Sequence, residues 1–353
     1  MSEPAAKSTP NTPKRPYPPS WMDRLTAWID ALRIPAWAAY LLVFFAIAIA
    51  VNVVFWIEGI APFASFDLIE SLLSLLIIYW VALYQYLTRV GTRALLAFRP
   101  LLDVSDSEFN QLDYELATLP RSLGRLSVFL GLLLQVVSIP FDPRLNAILS
   151  AGNILLYSVE IITTTFLGIT FFCVVIRSIR QLRMVGRLHL RAANINILDL
   201  SPAHAFAALT SRTGMGVILI MIVGYLYESS FDLETTAVDI FLYLSIATLA
   251  IVIFVAPLAG MRARLEDAKD RALSKVNTLL RVATERLHRK ISDDDHKNMR
   301  QATAAISSLI AERDLLHKTS TWPWDTRTLR GFASTLLLPI FLLLVSQLIE
   351  RIF

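Results

Sequence analysis

The sequence predicts an all-α fold, a polytopic transmembrane helix bundle with a cytoplasmic antiparallel helical hairpin, and three observations carry that prediction. Of 353 residues, 55% are hydrophobic and 18% charged, with a mean hydropathy of +0.55; a soluble core of this size cannot hide so much apolar surface. The apolar residues gather in seven long runs rich in Leu, Ile and Val, without the alternation a barrel strand requires. Charge follows the same runs. Of 33 Lys and Arg residues, only Arg144 and Arg351 fall in segments assigned to the outer side.

Taken in order, residues 1–19 carry Pro4, Pro10, Pro13, Pro16, Pro18 and Pro19 among Ser, Thr and Lys. Such a composition buries too little apolar area to fold, so a disordered cytoplasmic tail is expected. Ser20 followed by Asp23 reads as a helix cap, and Trp21, Leu25, Trp28, Ile29 and Leu32 recur at helical spacing with Arg24, Asp30 and Arg33 off that stripe. Residues 20–35 are therefore expected to form an amphipathic helix, lying in the membrane interface or packed beneath the loops.

About 20 helical residues cross the hydrocarbon core. The runs at 36–57, 67–87, 124–141, 152–177, 213–229, 237–258 and 331–349 are each expected to do so, six of them forming a bundle over 36–259. The third and fifth are short, and a tilted or re-entrant path is the alternative for both. The outer loops hold Glu58, Asp142, Glu228, Asp232 and Glu234, so the positive-inside rule places the N-terminus in the cytoplasm and the C-terminus outside a cell membrane.

Ser105 and Glu108 form a capping box ahead of Phe109, Leu112 and Leu116, which predicts a small docked helix in the second cytoplasmic stretch. Ser201 and Pro202 occupy N-cap and N1 positions, predicting a short helix from Pro202 through Phe206 and Leu209. Residues 260–320 form the longest soluble element. Leu265, Ala268, Ala272, Val276, Leu279, Ala283 and Leu287 define one face of a first helix, and Met299, Ala302, Ile306, Leu309 and Leu316 the seam of a second. The pattern breaks near Ile291, where Ser292 and Asp293 to Asp295 cap the second helix. Residues 321–353 complete the chain with an interfacial anchor of Trp322, Trp324, Arg327 and Arg330, followed by the seventh span.

Glu160 is the residue with the strongest functional suggestion, since an ionisable group about 13 Å into a span marks a pathway or an internal polar cluster. Asn153, Thr163 and Thr164 on the same helix, with Asn52 and Gln135 from the first and third spans, are its expected partners. The structural alternative is a protonated acid hydrogen-bonded between helices. His288 and His296 flank the hairpin turn beside three aspartates, but without ligand spacing an exposed polar turn explains them better than a metal site. A lone Cys173 excludes a disulfide framework, and no dinucleotide, Walker, zincin or nucleophile-elbow motif occurs. No cofactor, metal or nucleic-acid partner is expected.

The stretch LIAERDLLHKTSTWPWDTRTLRGFASTLLLPIFLLLVSQLIERIF, with its ERDLL, TWPW and LRGF steps, together with LDLSPAHAF, resembles an uncharacterised group of prokaryotic multi-pass membrane proteins. The resemblance implies a topology and no mechanism. Three function classes follow from the residues. The first is a non-enzymatic scaffold or signalling component acting through 260–320, on a cytoplasmic protein or a second copy. The second is an ion or proton channel or transporter using the Glu160 cluster. The third is a lipid-acting enzyme with a site at His189, Asp199 and His204, where the basic rim also suits anionic lipid headgroups.

Overall fold

The computed structural model describes residues 16–141, 143–192, 199–202, 204–230, 237–292, 296–322, 324 and 326–352. Among them every regular element is a helix: α1 (Trp21–Ala31), α2 (Ala36–Ile57), α3 (Leu68–Phe98), α4 (Asp106–Ala117), α5 (Arg121–Ser138), α6 (Pro143–Ser150), α7 (Ile154–Arg191), α8 (Ala207–Ser230), α9 (Ala237–Ser292), α10 (His296–Lys318) and α11 (Thr326–Ile352). Five helical stretches are long and apolar enough to cross a membrane: Ala36–Ile57, Leu73–Leu101, Arg121–Ser138, Ile154–Arg191 and Leu244–Arg289. The other two expected runs, 213–229 and 331–349, coincide with α8 and α11, many of whose side chains lie outside the described set. Several helices outrun the apolar runs that predicted them, because a change from Leu to Arg alters the solvent of a helix without breaking its backbone bonds. α7 continues 14 residues beyond 177, to Arg191.

The chain divides into two compact units, Met1–Thr92 with Val104–Gln181, and Arg93–Asp103 with Leu182–Phe353. In the first, α1 begins at the expected Ser20–Asp23 capping box. Its buried face is Met22, Thr26 and Ile29, whereas Trp28, expected on the apolar stripe, is 59% exposed. The helix is turned because the Asp23 carboxylate is fixed by distant groups described below. Tyr17, Pro18 and Pro19, expected within the tail, are held: the Tyr114 hydroxyl donates to the Tyr17 carbonyl at 2.7 Å, and Pro19 forms an isolated bridge with Pro120. Residues 1–15 of that tail lie outside the described residues. α2 packs Val51, Val54 and Phe55 against Leu156 of α7. α4 starts at the expected Ser105, whose hydroxyl accepts from the Glu108 N–H, and it buries Phe109 and Leu116. α5 and α7 approach closely where Gly131 meets the backbone of Ile169, the small-residue contact that lets two helices touch.

In the second unit, Gly214 of α8 admits the Phe332 ring of α11 and the Ala250 carbonyl of α9. Phe254 stacks on Phe332 at 4.1 Å, closing a core with Ile218 and Ala250. α9 is one helix of 56 residues through Pro257. α10 packs along it, with Leu265, Val276 and Leu316 buried, while Leu279 of the expected seam is 46% exposed. The Lys269 ammonium donates to the carbonyls of His317 and Thr319 at 2.9 and 2.7 Å, tying the C-terminal end of α10 to α9. The helix expected to begin at Pro202 does not form there. Residues 201–202 and 204–206 are turns, with His204 N–H bonded to Leu200 O and Ala205 N–H to Pro202 O, and α8 starts at Ala207. Tertiary contacts outweigh the local start signal: Phe206 is fully buried, and His204 Nε2 lies 3.1 Å from the Trp322 carbonyl.

Candidate functional site

The polar residues expected around Glu160 separate into distinct environments. Glu160 is 5% exposed and lies six residues into α7, about 9 Å along the axis instead of 13 Å, because the helix starts at Ile154. It stands one turn beyond Leu156 on the face that packs against α2, and Thr164 donates to its carbonyl at 2.7 Å. Thr163 is half-buried on the same helix, whereas Asn153, expected on it, is half-buried just ahead of its first residue, Ile154. Asn52 is 1% exposed, but its bonds run elsewhere: its amide donates to Ala48 O at 2.8 Å and to Ser71 Oγ at 3.4 Å, and its Oδ1 accepts from Asp67 N–H at 2.7 Å. Asn52 thus secures the start of α3, a structural task that its apolar neighbours in the sequence could not reveal. Gln135 is 7% exposed with Nε2 unpartnered among the described residues. Gly131 meets Ile169, and Ser127 is hydrogen-bonded with Cys173.

A second polar assembly in the first unit was not anticipated. Asp23 accepts from Ser20 N–H at 3.1 Å, Ser20 Oγ at 2.7 Å, Leu119 N–H at 3.0 Å and the Tyr84 hydroxyl at 2.6 Å. Arg177, 2% exposed, lies 3.5 Å from the same carboxylate, donates to Ala117 O at 2.7 Å and stacks 4.0 Å over the Tyr84 ring. In the sequence Asp23 reads as part of a helix cap and Arg177 as one of the basic residues of the inner side. One turn further along α7, Gln181 donates to Leu116 O at 3.2 Å, and Arg180 donates to the Tyr17 hydroxyl and stacks on its ring. Burial raises the Tyr17 phenol above its ordinary range, against the lowering effect of Arg180. These bonds strap 17–24 across the α4–α5 connection and the lower half of α7.

In the second unit, His189 is fully buried between the rings of Phe98 and Phe206, at 5.4 and 5.6 Å. Its Nδ1 lies 3.0 Å from the Pro257 carbonyl, so that nitrogen carries the proton, and Nε2 is unpartnered among the described residues. Burial holds the imidazole down at about 4, with the bond to Pro257 acting in the opposite direction. His189 is therefore neutral at pH 7 and enclosed. Asp199 Oδ1 accepts from Ser201 N–H, and His204 is engaged with Trp322 O. The three residues of the lipid-enzyme reading occupy three separate roles.

At the expected anchor, Trp322 is 51% exposed beneath the Arg262 guanidinium at 4.4 Å, while Trp324 stacks on Phe254 at 5.2 Å. Arg327 and Arg330 are exposed at the start of α11, and Pro323 lies outside the described residues. His288 is exposed near the end of α9, and Asp293 to Asp295 beside it lie outside the described residues. No protein family, no curated protein and no solved structure matches this chain.

Proposed function

We propose that the chain is a seven-span protein of a bacterial cell membrane, N-terminus inside and C-terminus outside, that works without catalysis as a scaffold or signalling component through residues 260–320. The observation that carries this reading is the continuity of α9. Its 56 residues amount to about 84 Å of helix, of which a bilayer core takes about 30 Å. The remainder is a charged arm rigidly joined to an apolar one, so a tilt imposed at either end is felt at the other. Leu279, Ile310 and Leu315 are 46%, 40% and 60% exposed on this element, an apolar surface suited to a protein partner or a second copy. Replacing 262–318 with a short linker should leave the rest of the protein stable and abolish its co-purifying partner or self-association. Unchanged association in the deletion contradicts the reading.

A second reading, an ion or proton pathway, is favoured by the burial of Glu160 and the unpartnered Gln135 amide among the described residues. It requires proton or ion flux in proteoliposomes that Glu160→Gln removes, and a flux-free wild-type protein rules it out.

A further inference from the structure

A groove of about 540 Å³ in the first unit is lined by α1, the α1–α2 elbow and α3, within the range of about 300–1,000 Å³ usual for small-ligand sites. Its chemistry is specific. Arg89 and Asp30 form an ion pair at its mouth, each about half exposed. Gln85 in its wall is 5% exposed; its Oε1 accepts from the Tyr40 hydroxyl at 2.8 Å, which leaves the amide Nε2 unpartnered among the described residues. A buried donor without an acceptor is costly, and a turn of the Gln85 amide towards the groove lets what enters there supply one. Trp37 and Tyr86 are 67% and 46% exposed beside it.

We propose that this groove binds a zwitterionic glycerophospholipid headgroup carrying a primary ammonium. The proposal rests on the membrane reading above, which sets the inner ends of α2 and α3 at headgroup level. The phosphate takes hydrogen bonds from Gln85 Nε2 and from guanidinium donors of Arg89 that the Asp30 pair leaves over. The ammonium donates to the Asp30 carboxylate and lies against the faces of Trp37 and Tyr86. Arg89 and Asp30 sum to zero charge, which matches a net-neutral headgroup and not an anionic one. A quaternary choline has no N–H to give Asp30. From Trp37, Leu41 and Phe45 continue as an exposed apolar track at four-residue intervals, along which an acyl chain lies.

The test is native mass spectrometry of the full-length protein, purified in detergent and offered phosphatidylethanolamine, phosphatidylcholine or phosphatidylglycerol in turn. Retention of phosphatidylethanolamine should exceed both others by about tenfold, the worth of one charge-assisted hydrogen bond. Gln85→Leu should lower the retention of all three lipids alike, and Asp30→Asn should equalise the ethanolamine and choline lipids. Burial of Cys173 against maleimide reports that each variant is folded. Equal retention of all three lipids, preference for the anionic one, unaltered retention in Gln85→Leu, or an unaltered ethanolamine excess in Asp30→Asn overturns the proposal. Alkaline carbonate extraction separates the two levels: a protein released from membranes ends the membrane reading itself, whereas a retained protein without lipid preference ends the headgroup site alone.

Discussion

Replacing Gly131 with Ala tests whether α5 and α7 touch as described. An ideal Cβ there would lie 2.5 Å from Ile169 Cγ1, 2.7 Å from Ile169 N and 2.8 Å from Ile169 Cα. A new rotamer relieves the first clash, but the other two involve backbone. Restoring ordinary contact requires the helices to part by roughly 0.7 Å. Overpacking of this kind costs about 1–3 kcal/mol, and removing a glycine from a helix returns about 1 kcal/mol. With two backbone clashes the cost lies in the upper half of its range, so a net loss of about 1–2 kcal/mol is expected, which raises the open population about 5- to 30-fold. Gly168 is the internal control, because its Cβ would meet Gly131 Cα at 3.5 Å and Leu134 Cδ2 at 3.8 Å, both ordinary contacts. Cys173, fully buried one turn beyond Ile169 and the sole cysteine, reports the opening through its rate of maleimide labelling. Gly131→Ala should accelerate labelling by that factor and Gly168→Ala should not. Equal rates for wild type and Gly131→Ala, or equal acceleration by both substitutions, refute the packing.

Three further outcomes follow from the same geometry. Asp23→Asn preserves the cap but leaves the buried Arg177 uncompensated, a loss of about 3 kcal/mol, whereas Asp30→Asn removes a half-exposed pair and should cost less than about 1 kcal/mol; thermal unfolding of both variants compares them. His189 is held down at about 4 when folded against an unfolded value near 6.5, so its neutral burial contributes full stability above about pH 6.5 and loses it as pH falls towards 4, by up to about 3 kcal/mol. Melting curves of the second unit between pH 7.5 and 5 should decline in the wild type and flatten in His189→Gln. Lys269→Met removes the bonds to His317 and Thr319 and should loosen the C-terminal end of α10 by about 1 kcal/mol, read by limited proteolysis near 317–319.

Helix placement was legible in the sequence because apolar runs and caps are local signals: the Ser20–Asp23 box and the Ser105 cap stand where the residues put them. Helix length was less so. The arginines after residue 177 do not end α7, which runs on to Arg191. The strap built on Asp23, Tyr84 and Arg177 was invisible, since 61 residues separate the first pair in the chain and no periodicity announces such a bond. Asn52 is a different case: a polar residue in an apolar run suggested a pathway or a polar cluster, and its hydrogen bonds run to Ala48, Asp67 and Ser71, at the start of α3. Ahead of α8, Phe206 and His204 follow their distant partners instead of the local start signal at Ser201 and Pro202.

The most direct test of the central claim is the sidedness of two single-cysteine variants made in a Cys173→Ser background. Ser150 and Ser274 are both exposed, one at the end of α6 and one on the arm of α9. Three proposed spans, in α7, α8 and α9, separate them. With an impermeant maleimide, Ser150→Cys should label in intact cells and Ser274→Cys only after permeabilisation. If both label from the same side, α8 does not cross and the arm is not cytoplasmic, and the account of 260–320 as the working surface fails with it.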